Sequence, residues 1–379
     1  MKTTMGPLTG VRVIEIASLA PAPFGCMILA DLGAEVLRID RLGSSAAITP
    51  PPGPLDRGRR TVAVNLKDPA GLETVRRLVE SADVFVEGLR PGVAERIGIG
   101  PDDLLAINER LVYARMTGWG QDGPLGQRAG HDINYIALAG ALEPIARPGE
   151  RPLAPLNLLG DFAGGGLLMT MGILSALYER ERSGKGQVVD AAMVDGASLF
   201  TAFMRGMHET GLWSEEPGTN ALDGAAPFYD TYECSDGKYV AVGCVEPQFF
   251  AELVAVLEID EPNLPFQLDP SGWPAWKKVI GEALAQRTRD EWAEVFADSD
   301  ACVTPVLSPW EAHDHPHHKA RESFVEVAGI IQPAPAPRFS RTPTAVPTAP
   351  DPDGRDVVRT LADWGVADGA DLMETGSVA

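Results

Sequence analysis

The segment VRVIEIASLAPAPFGCMILADLGAEVLRID, Val11 to Asp40, decides the fold because it holds a complete strand–helix–strand unit. Its first six residues form a β-branched run that is typical of a buried strand. APFGCMILADLG follows as an apolar helix that ends at Gly33, a residue suited to a helix C-terminus. AEVLRID then predicts a second strand. Two strands joined by one helix indicate a parallel unit with a right-handed crossover.

The same alternation of strand and helix patterns continues through the first third of the chain. DPAGLETVRRLVESA predicts a helix with Pro69 near its start, and it leads into the strand pattern DVFVEG (Asp83 to Gly88). PDDLLAINER predicts a short helix before the strand pattern LVYARM (Leu111 to Met116). Strands separated by helices of this length are typical of a parallel sheet. We therefore predict an α/β fold that begins with a Rossmann-like open sheet.

The middle of the chain is richer in helix patterns. Asp161 to Arg182 predicts one long helix that is entered through three consecutive glycines, and Ala191 to Gly211 predicts another. From Pro227 onward the pattern changes again.

FYDTYECSDGKYVAVGC predicts two strands joined by a Ser-Asp-Gly turn. Helices are predicted around 247–257 and 273–297. These features indicate a second, smaller α+β domain. Near the C-terminus, DVVRTLADWG predicts a final helix that packs back on the first domain.

The composition excludes several classes of function. The chain has 379 residues, of which 45% are hydrophobic and 22% charged, as in ordinary globular proteins. Its net charge of −21 argues against a general surface for nucleic acid or anionic membranes. The apolar stretches, such as Leu167 to Tyr178, are judged too short to span a bilayer, and the N-terminus lacks the order of a signal peptide. We predict a cytoplasmic protein without a membrane partner.

Sequence motifs for cofactors and metals are not found. SGKGQ lacks the spacing of a phosphate loop, no G-x-S-x-G nucleophile elbow occurs, and the turn after the first strand has no G-x-G-x-x-G. The four cysteines are dispersed without a C-x-x-C pair, which favours reduced core thiols. HDHPHH, from His313 to His318, is predicted to be an exposed loop. We therefore predict no metal and no redox cofactor.

One histidine stands apart from this cluster, in AGHDINYIALAG. His131 follows a glycine and precedes Asp132, and Asp161 lies 30 residues further on in NLLGDFAGGG. Each residue alone is also compatible with a structural role, His131 as a satisfied histidine and Asp161 as a helix N-cap. The three glycines behind Asp161 indicate a helix face that a ligand could approach closely. Together these features suggest a working pair.

A histidine and a carboxylate on opposite sides of a carbon atom can remove its proton from one face and return it to the other. The carbon acid must be activated, most simply by a thioester carbonyl that becomes an enolate. We expect backbone N–H groups at the start of the Asp161 helix to stabilise this oxyanion.

A thioester of coenzyme A would bring phosphates, and so would require cationic side chains. Arg38 and Arg41 lie at the end of a predicted strand, where α/β folds bind ligands. Two or three of the basic residues are expected to be solvated surface groups. The other candidates are Arg57, Arg59, Arg60, Lys67, Arg90 and Arg96.

Several longer motifs resemble the α-methylacyl-CoA racemases, which belong to the family III CoA-transferase superfamily. These motifs are AGHDINY, PLNLLGDFAGGG, GKGQVVDAAMVDG, LDGAAPFYDTYECSDGKYVAVGCVEPQF and DACVTPVL, and the resemblance runs from about Gly6 to Pro343. It implies a Rossmann-like large domain, a small α+β domain and an interlocked homodimer. The implied active site lies between the large domain of one subunit and the small domain of the other. The implied boundaries are 1–190 and 330–379 for the large CoA-binding domain, 191–225 for a helical linker and 226–329 for the small domain.

The resemblance also implies roles for individual residues. His131, with Asp132 beside it, and Asp161 match the catalytic residues, and Glu246 matches a supporting glutamate. Coenzyme A is part of the substrate, so no separate cofactor is implied. The Pro-rich segment SSAAITPPPGPLDRG (44–58) leaves open whether its arginine, Arg57, reaches the substrate. The implied substrate contacts are Arg41, Val64, Lys67, Arg90, Arg96, Gly130, Asn134, Tyr135 and Asn157.

These residues predict a racemase or epimerase that interconverts (R)- and (S)-2-methylacyl-CoA thioesters. The first alternative is a CoA-transferase in which Asp161 is a nucleophile that forms an acyl anhydride. The presence of GHDINY favours the racemase, because that transferase chemistry needs no histidine at position 131. A second alternative is a non-catalytic acyl-CoA-binding protein. The sequence leaves open the acyl chain, the metabolic pathway and which base serves which enantiomer.

Overall fold

The computed structural model describes residues 5–43, 53–351 and 356–379, so most of the Pro-rich segment 44–58 lies outside the described residues. The chain divides into two compact units. The first comprises Met1–Ala139, Leu156–Phe200 and Pro316–Ala379, and the second comprises Gly140–Pro155 and Thr201–His315. Residues 140–155, which we had assigned to the large domain, group with the second unit. The linker proposed at 191–225 is divided between the units at Phe200.

A six-stranded parallel sheet forms the centre of the first unit, with strand order β3-β2-β1-β4-β5-β6. This is the α/β fold expected from the alternating pattern. Strands buried on both faces need nearly continuous apolar runs, and all six residues of β5 are buried. β3 and β6 were not predicted. The strands are β1 (Arg12–Ile16), β2 (Glu35–Arg41), β3 (Arg59–Val64), β4 (Val84–Glu87), β5 (Val112–Thr117) and β6 (Val188–Ala192).

Helices cover both faces of this sheet. Successive residues of β1 point to opposite faces, so that Ile14 and Ile16 belong to one hydrophobic cluster and Val13 to the other. Gly33, at φ 100°, follows α1 in a conformation that favours glycine. The helices up to residue 200 are α1 (Pro21–Asp31), α2 (Pro69–Val79), α3 (Val93–Arg96), α4 (Pro101–Ile107), α5 (Asp132–Leu138), a π-helix (Leu158–Leu167), α6 (Leu168–Ser183) and α7 (Met193–Leu199), with a 3₁₀ turn at Pro54–Asp56.

The π-helix and α6 form one continuous helix, Leu158–Ser183, of 26 residues with a mean hydropathy of 1.4 in its most apolar window. By length and composition it could cross a bilayer, so the expectation that every apolar stretch is too short was wrong. The helix begins three residues before Asp161 and joins the apolar residues on both sides of the glycines. Met169 and Ile173 are fully buried in the hydrophobic cluster that also contains Val13, whereas Leu167 and Met171 on the same helix are more than half exposed.

The second unit contains a three-stranded antiparallel sheet, ordered β7-β8-β9, and four helices among its described residues. The predicted hairpin is present. The single helix predicted over 191–211 is instead β6, α7 and a separate α8. The stretch 273–297 is also two helices, because Thr288 accepts a hydrogen bond from the Glu291 amide and caps a new helix. The elements are α8 (Ala202–Glu209), β7 (Asp230–Glu233), β8 (Tyr239–Val242), α9 (Pro247–Val256), α10 (Trp273–Leu284), α11 (Arg289–Val295) and β9 (Val303–Pro305), with 3₁₀ turns at Pro270–Gly272 and Ala312–Asp314.

The chain then returns to the first unit. Leu361 and Trp364 are fully buried in the cluster that contains Ile14, so the helix predicted from DVVRTLADWG packs on the large sheet as expected. It is not the final helix, because one more follows it. The elements are α12 (Pro316–Ala320), β10 (Phe324–Val327), β11 (Ile330–Pro333), α13 (Val357–Asp363) and α14 (Gly369–Glu374).

Candidate active site

A cavity of about 520 Å³ lies in the first unit, at the carboxyl ends of β1, β4 and β5. Parallel α/β sheets bind ligands at this edge because the loops after the strands converge there. His131 and Asp161 both line the cavity, together with Arg90, Gly130 and Tyr135. Trp119 and Arg128 also line it, although neither was among the predicted site residues. Trp119 stands between two glycines after a strand, and this was the signal that could have revealed it.

His131 is the N-cap residue of α5 and has an extended backbone conformation. Its N–H donates a 3.0 Å hydrogen bond to Oδ1 of Asn134, which is the capping-box arrangement. Asn134, one of the implied substrate contacts, therefore holds the backbone of the histidine. The imidazole itself is exposed toward the cavity.

Asp161 lies in the first turn of the π-helix, a rare element that often marks functional sites. Burial raises the pKa of its carboxyl above the ordinary value. The Nδ2 group of Asn157 opposes this rise by donating a 3.1 Å hydrogen bond to Oδ2, while the charge of Asp132 adds to it. Asn157 thus contacts the candidate acid. A carboxyl with a raised pKa is suited to hold a proton and return it.

Asp132 is only 6% exposed and does not line the cavity. Its Oδ2 accepts hydrogen bonds of 2.7 Å from the N–H groups of Gly160 and Asp161. The expectation that these amides stabilise an oxyanion was wrong, because the Asp132 carboxylate already occupies them. The first amides of α5, beside His131, are donors that a helix leaves without an internal partner.

The three glycines behind Asp161 serve backbone packing and do not open a face for a ligand. A methyl group at Gly164 would lie 2.8 Å from the amide nitrogen of Ala197 in α7, and one at Gly166 would collide with the carbonyl oxygen of Pro21 in α1. The glycines do allow a close approach, as expected, but the group that approaches them is the backbone of neighbouring helices and not a ligand. These contacts fix the π-helix between α1 and α7.

Two aromatic rings form one wall of the cavity. Tyr135 packs edge-on against Trp119, with ring centroids 4.7 Å apart, and its hydroxyl donates to the carbonyl of Gly130. A side chain at Gly130 would crowd both rings. Burial raises the pKa of the Tyr135 hydroxyl, which favours its neutral form. The wall is therefore a rigid support for the segment that leads into His131.

The implied coenzyme A contacts form two groups. Arg90 lines the cavity, whereas Arg41 and Val64 are register partners at the ends of β2 and β3, with Lys67 close behind. The side chain of Val64 is fully buried in the core. Arg41, Lys67, Arg90 and Arg96 are all exposed, and none has an ion pair with another residue in the described ranges.

Other candidate arginines are committed to structure. Arg57 forms a bidentate pair with Asp31, at 3.0 and 2.5 Å, and Arg59 pairs with the fully buried Glu15 at 3.0 Å. Both arginines are 2% exposed, so neither can meet a phosphate. Arg38 and Arg60 also have carboxylate partners.

Glu246 belongs to the second unit, where it is the exposed N-cap residue of α9 before Pro247. The histidine-rich segment forms a 3₁₀ turn and α12. Within 5–43, 53–351 and 356–379, no group of three or more His, Cys, Asp or Glu residues could hold a metal ion.

The chain belongs to CoA-transferase family III, whose family model matches residues 8–357. It is 48% identical to the mouse (Mus musculus) alpha-methylacyl-CoA racemase over 94% of this chain and 93% of that protein. It is 30% identical to the acetyl-CoA:oxalate CoA-transferase of Acetobacter aceti, over 96% of this chain and 95% of that protein. The crystal structure of a CAIB/BAIF family protein from Brucella suis superimposes with a TM-score of 0.82 at 26% identity, covering 95% of this chain and all of that one.

Proposed function

We propose that the chain is an isomerase that interconverts (R)- and (S)-2-methylacyl-CoA thioesters by removing the α-proton and returning it through an enolate. The observation that carries this proposal is that His131 and Asp161 line one cavity. The 48% identity to the mouse protein named alpha-methylacyl-CoA racemase supports the same activity. The identity to a protein named as a CoA-transferase is lower, at 30%.

In the proposed mechanism, each base meets the α-carbon from its own side. When neutral His131 removes the proton, Asp161 stands protonated and supplies a proton to the opposite face. The roles reverse for the other enantiomer. Burial raises the pKa of the Asp161 carboxyl and so makes the protonated form accessible. Asn157 and Asp132 fix this carboxyl and its backbone.

The enolate oxygen needs hydrogen-bond donors. Because Asp132 occupies the amides of Gly160 and Asp161, we assign this role to the amides of Asp132 and Ile133, the first two of α5. The next two amides of α5 already donate to the His131 carbonyl. A preorganised donor of this kind is worth roughly 10²–10³ in rate.

The proposed enzyme is an interlocked homodimer, as the resemblance implies. Glu246 of the partner subunit then orients or polarises His131 without touching the α-carbon. A stable dimer at assay concentrations is a requirement of this arrangement, because a shared site cannot form in a monomer. A monomer with full activity at high dilution would contradict it.

Incubation with (S)-2-methylacyl-CoA in deuterated water tests the proposal. The ester should racemise and take up one deuterium at the α-carbon, while coenzyme A stays on the original acyl group. Transfer of coenzyme A to added carboxylates without α-exchange would support the transferase alternative. Binding of the ester with neither reaction would indicate a non-catalytic acyl-CoA-binding protein.

A further inference from the structure

A buried ion pair lies beneath the loop that carries Arg90. Glu87, the last residue of β4, is fully buried, and Arg115 of β5 is its register partner and is 7% exposed. Glu87 Oε1 accepts a 3.0 Å hydrogen bond from Arg115 Nε. The pair therefore sits at the edge of the sheet where the cavity lies.

The same carboxylate also holds the loop backbone. Glu87 Oε2 accepts a 2.7 Å hydrogen bond from the N–H of Leu89, the residue before Arg90. Arg115 continues the network through a 2.9 Å contact between Nη1 and Oε1 of Glu95, which lies in α3 next to Arg96. Short charge-assisted contacts thus connect one buried carboxylate to the residues next to both exposed arginines.

The loop is held from a second side as well. The Nε2 group of Gln127 donates a 3.0 Å hydrogen bond to the carbonyl of Pro91, which joins the loop to the segment before His131. Gly88, Leu89, Arg90 and Pro91 line the cavity, whereas Glu87 does not. A buried ion pair adds little net stability over apolar packing, so its directional contacts are its distinctive contribution.

We propose that Glu87 is a positioning residue for coenzyme A: with Arg115 and Glu95 it fixes the loop and α3 so that Arg90 and Arg96 meet the phosphates. This inference rests on the proposed function, since it requires a CoA thioester at the cavity. Glu87 touches neither the substrate nor the reacting atoms. The network therefore acts on the phosphate-bearing end of the substrate and leaves the acyl end unaffected.

The test compares two substrates with the same acyl-pantetheine part, of which only one carries the phosphate-bearing nucleotide of coenzyme A. Glu87→Gln keeps the size of the side chain and removes its charge. Its KM for 2-methylacyl-CoA should rise about tenfold, as for the loss of one charge-assisted hydrogen bond, with little change in kcat. Its kinetics on 2-methylacyl-pantetheine, which lacks the nucleotide phosphates, should match the wild type. In a background that carries both Arg90→Ala and Arg96→Ala, Glu87→Gln should add little further loss.

Glu95→Gln provides a second variant that does not disturb the core, because the Glu95 side chain is 45% exposed. Its KM for the CoA ester should rise by less than that of Glu87→Gln, and its KM for the pantetheine ester should stay unchanged. Arg110→Ala, which removes an exposed pair with Glu181, is the matched control and should change neither KM. If Glu87→Gln does not fold, Glu95→Gln provides the test. An unchanged KM of Glu95→Gln for the CoA ester would then overturn the inference.

Equal KM changes for the CoA and pantetheine esters would also overturn it, because they would indicate a general structural defect. Calorimetric titration with free coenzyme A separates this inference from the proposed function. Equal affinities of wild type and Glu87→Gln would overturn the inference alone. A wild type that does not bind coenzyme A would overturn both.

Discussion

The Asp132 carboxylate accepts a 2.7 Å hydrogen bond from the backbone N–H of Asp161 and thereby joins the helix capped by His131 to the helix that carries the second base. Because Asp132 directly follows His131, this contact connects the two candidate bases through the backbone. Asp132 was predicted to act beside the histidine at the substrate. Its burial and its two amide partners give it a positioning role.

Asp132→Ala should impair catalysis more than binding. Loss of the link lets Asp161 move, and misplacement by about 1 Å can cost ~10²-fold in rate. The amides of Gly160 and Asp161 would lose their acceptor, which should lower the free energy of unfolding by about 1–3 kcal/mol. Asp132→Asn retains one carbonyl oxygen and should be milder in both respects. Steady-state racemisation and urea unfolding measure the two effects, and wild-type kcat in Asp132→Ala would refute the positioning role.

Gly166→Ala should destabilise the protein by about 1–3 kcal/mol, because its methyl group would collide with the Pro21 carbonyl and force α1 and the π-helix apart. Gly206→Ala is the control. Gly206 lies within α8 with open space around it, so alanine there should stabilise the protein by about 0.5–1 kcal/mol. Urea denaturation distinguishes the two. Equal effects would show that the glycines are not needed for helix packing.

The basic residues should separate into structural and substrate-binding groups. Arg57→Ala leaves Asp31 buried without its partner, which should cost about 3–5 kcal/mol of stability. Arg90→Ala, at an exposed position, should leave stability unchanged and raise KM for the CoA ester with less effect on kcat. Thermal unfolding and steady-state kinetics of both variants check this contrast. A collapse of kcat in Arg90→Ala at constant KM would show that the assignment is wrong.

Asp161 should make folding stability depend on pH. Burial raises the pKa of its carboxyl above 3.8, so the folded state binds this proton more tightly than the unfolded chain does. Its contribution to stability is therefore complete below the ordinary pKa and is lost as the pH rises through the raised value. Asp161→Asn removes this titration, and its stability relative to wild type should increase between about pH 4 and pH 7. Urea unfolding of both proteins at both pH values measures this change. An equal difference in the free energy of unfolding at the two pH values would contradict the prediction.

Local patterns predicted most of the parallel sheet, because β-branched runs such as VRVIEI are buried on both faces. They did not reveal β3 or β6. Strand β3 begins with Arg59 and Arg60, which resemble a surface segment until Glu15, 44 residues earlier in the chain, is known to pair with Arg59. Strand β6 leads into α7 without an intervening turn signal. Such pairings depend on contacts distant in sequence.

In the candidate site too, some features could be predicted from local sequence and others depend on contacts in the folded chain. The residue types and glycine contexts of His131 and Asp161 were sufficient to select them. The roles of Asp132 and the glycine run depend on contacts with backbone groups that are distant in sequence, such as the amide of Gly160 and the carbonyl of Pro21. No local sequence pattern indicates these contacts. The residue types alone did not distinguish Arg57 from Arg90. The family resemblance implied only Arg90 as a substrate contact, and in the structure Arg57 is buried and Arg90 exposed.

The most direct test of the two-base mechanism is deuterium uptake by His131→Ala and Asp161→Ala, each supplied separately with (R)- and (S)-2-methylacyl-CoA in deuterated water. Both variants should lose most racemisation, since each acid–base group contributes about 10²–10⁴-fold. The remaining base can still remove a proton and return a deuteron to the same face. The two variants should therefore exchange the α-hydrogen of opposite enantiomers with retention of configuration. Racemisation of both enantiomers by His131→Ala at the wild-type rate would contradict the mechanism and make the histidine structural.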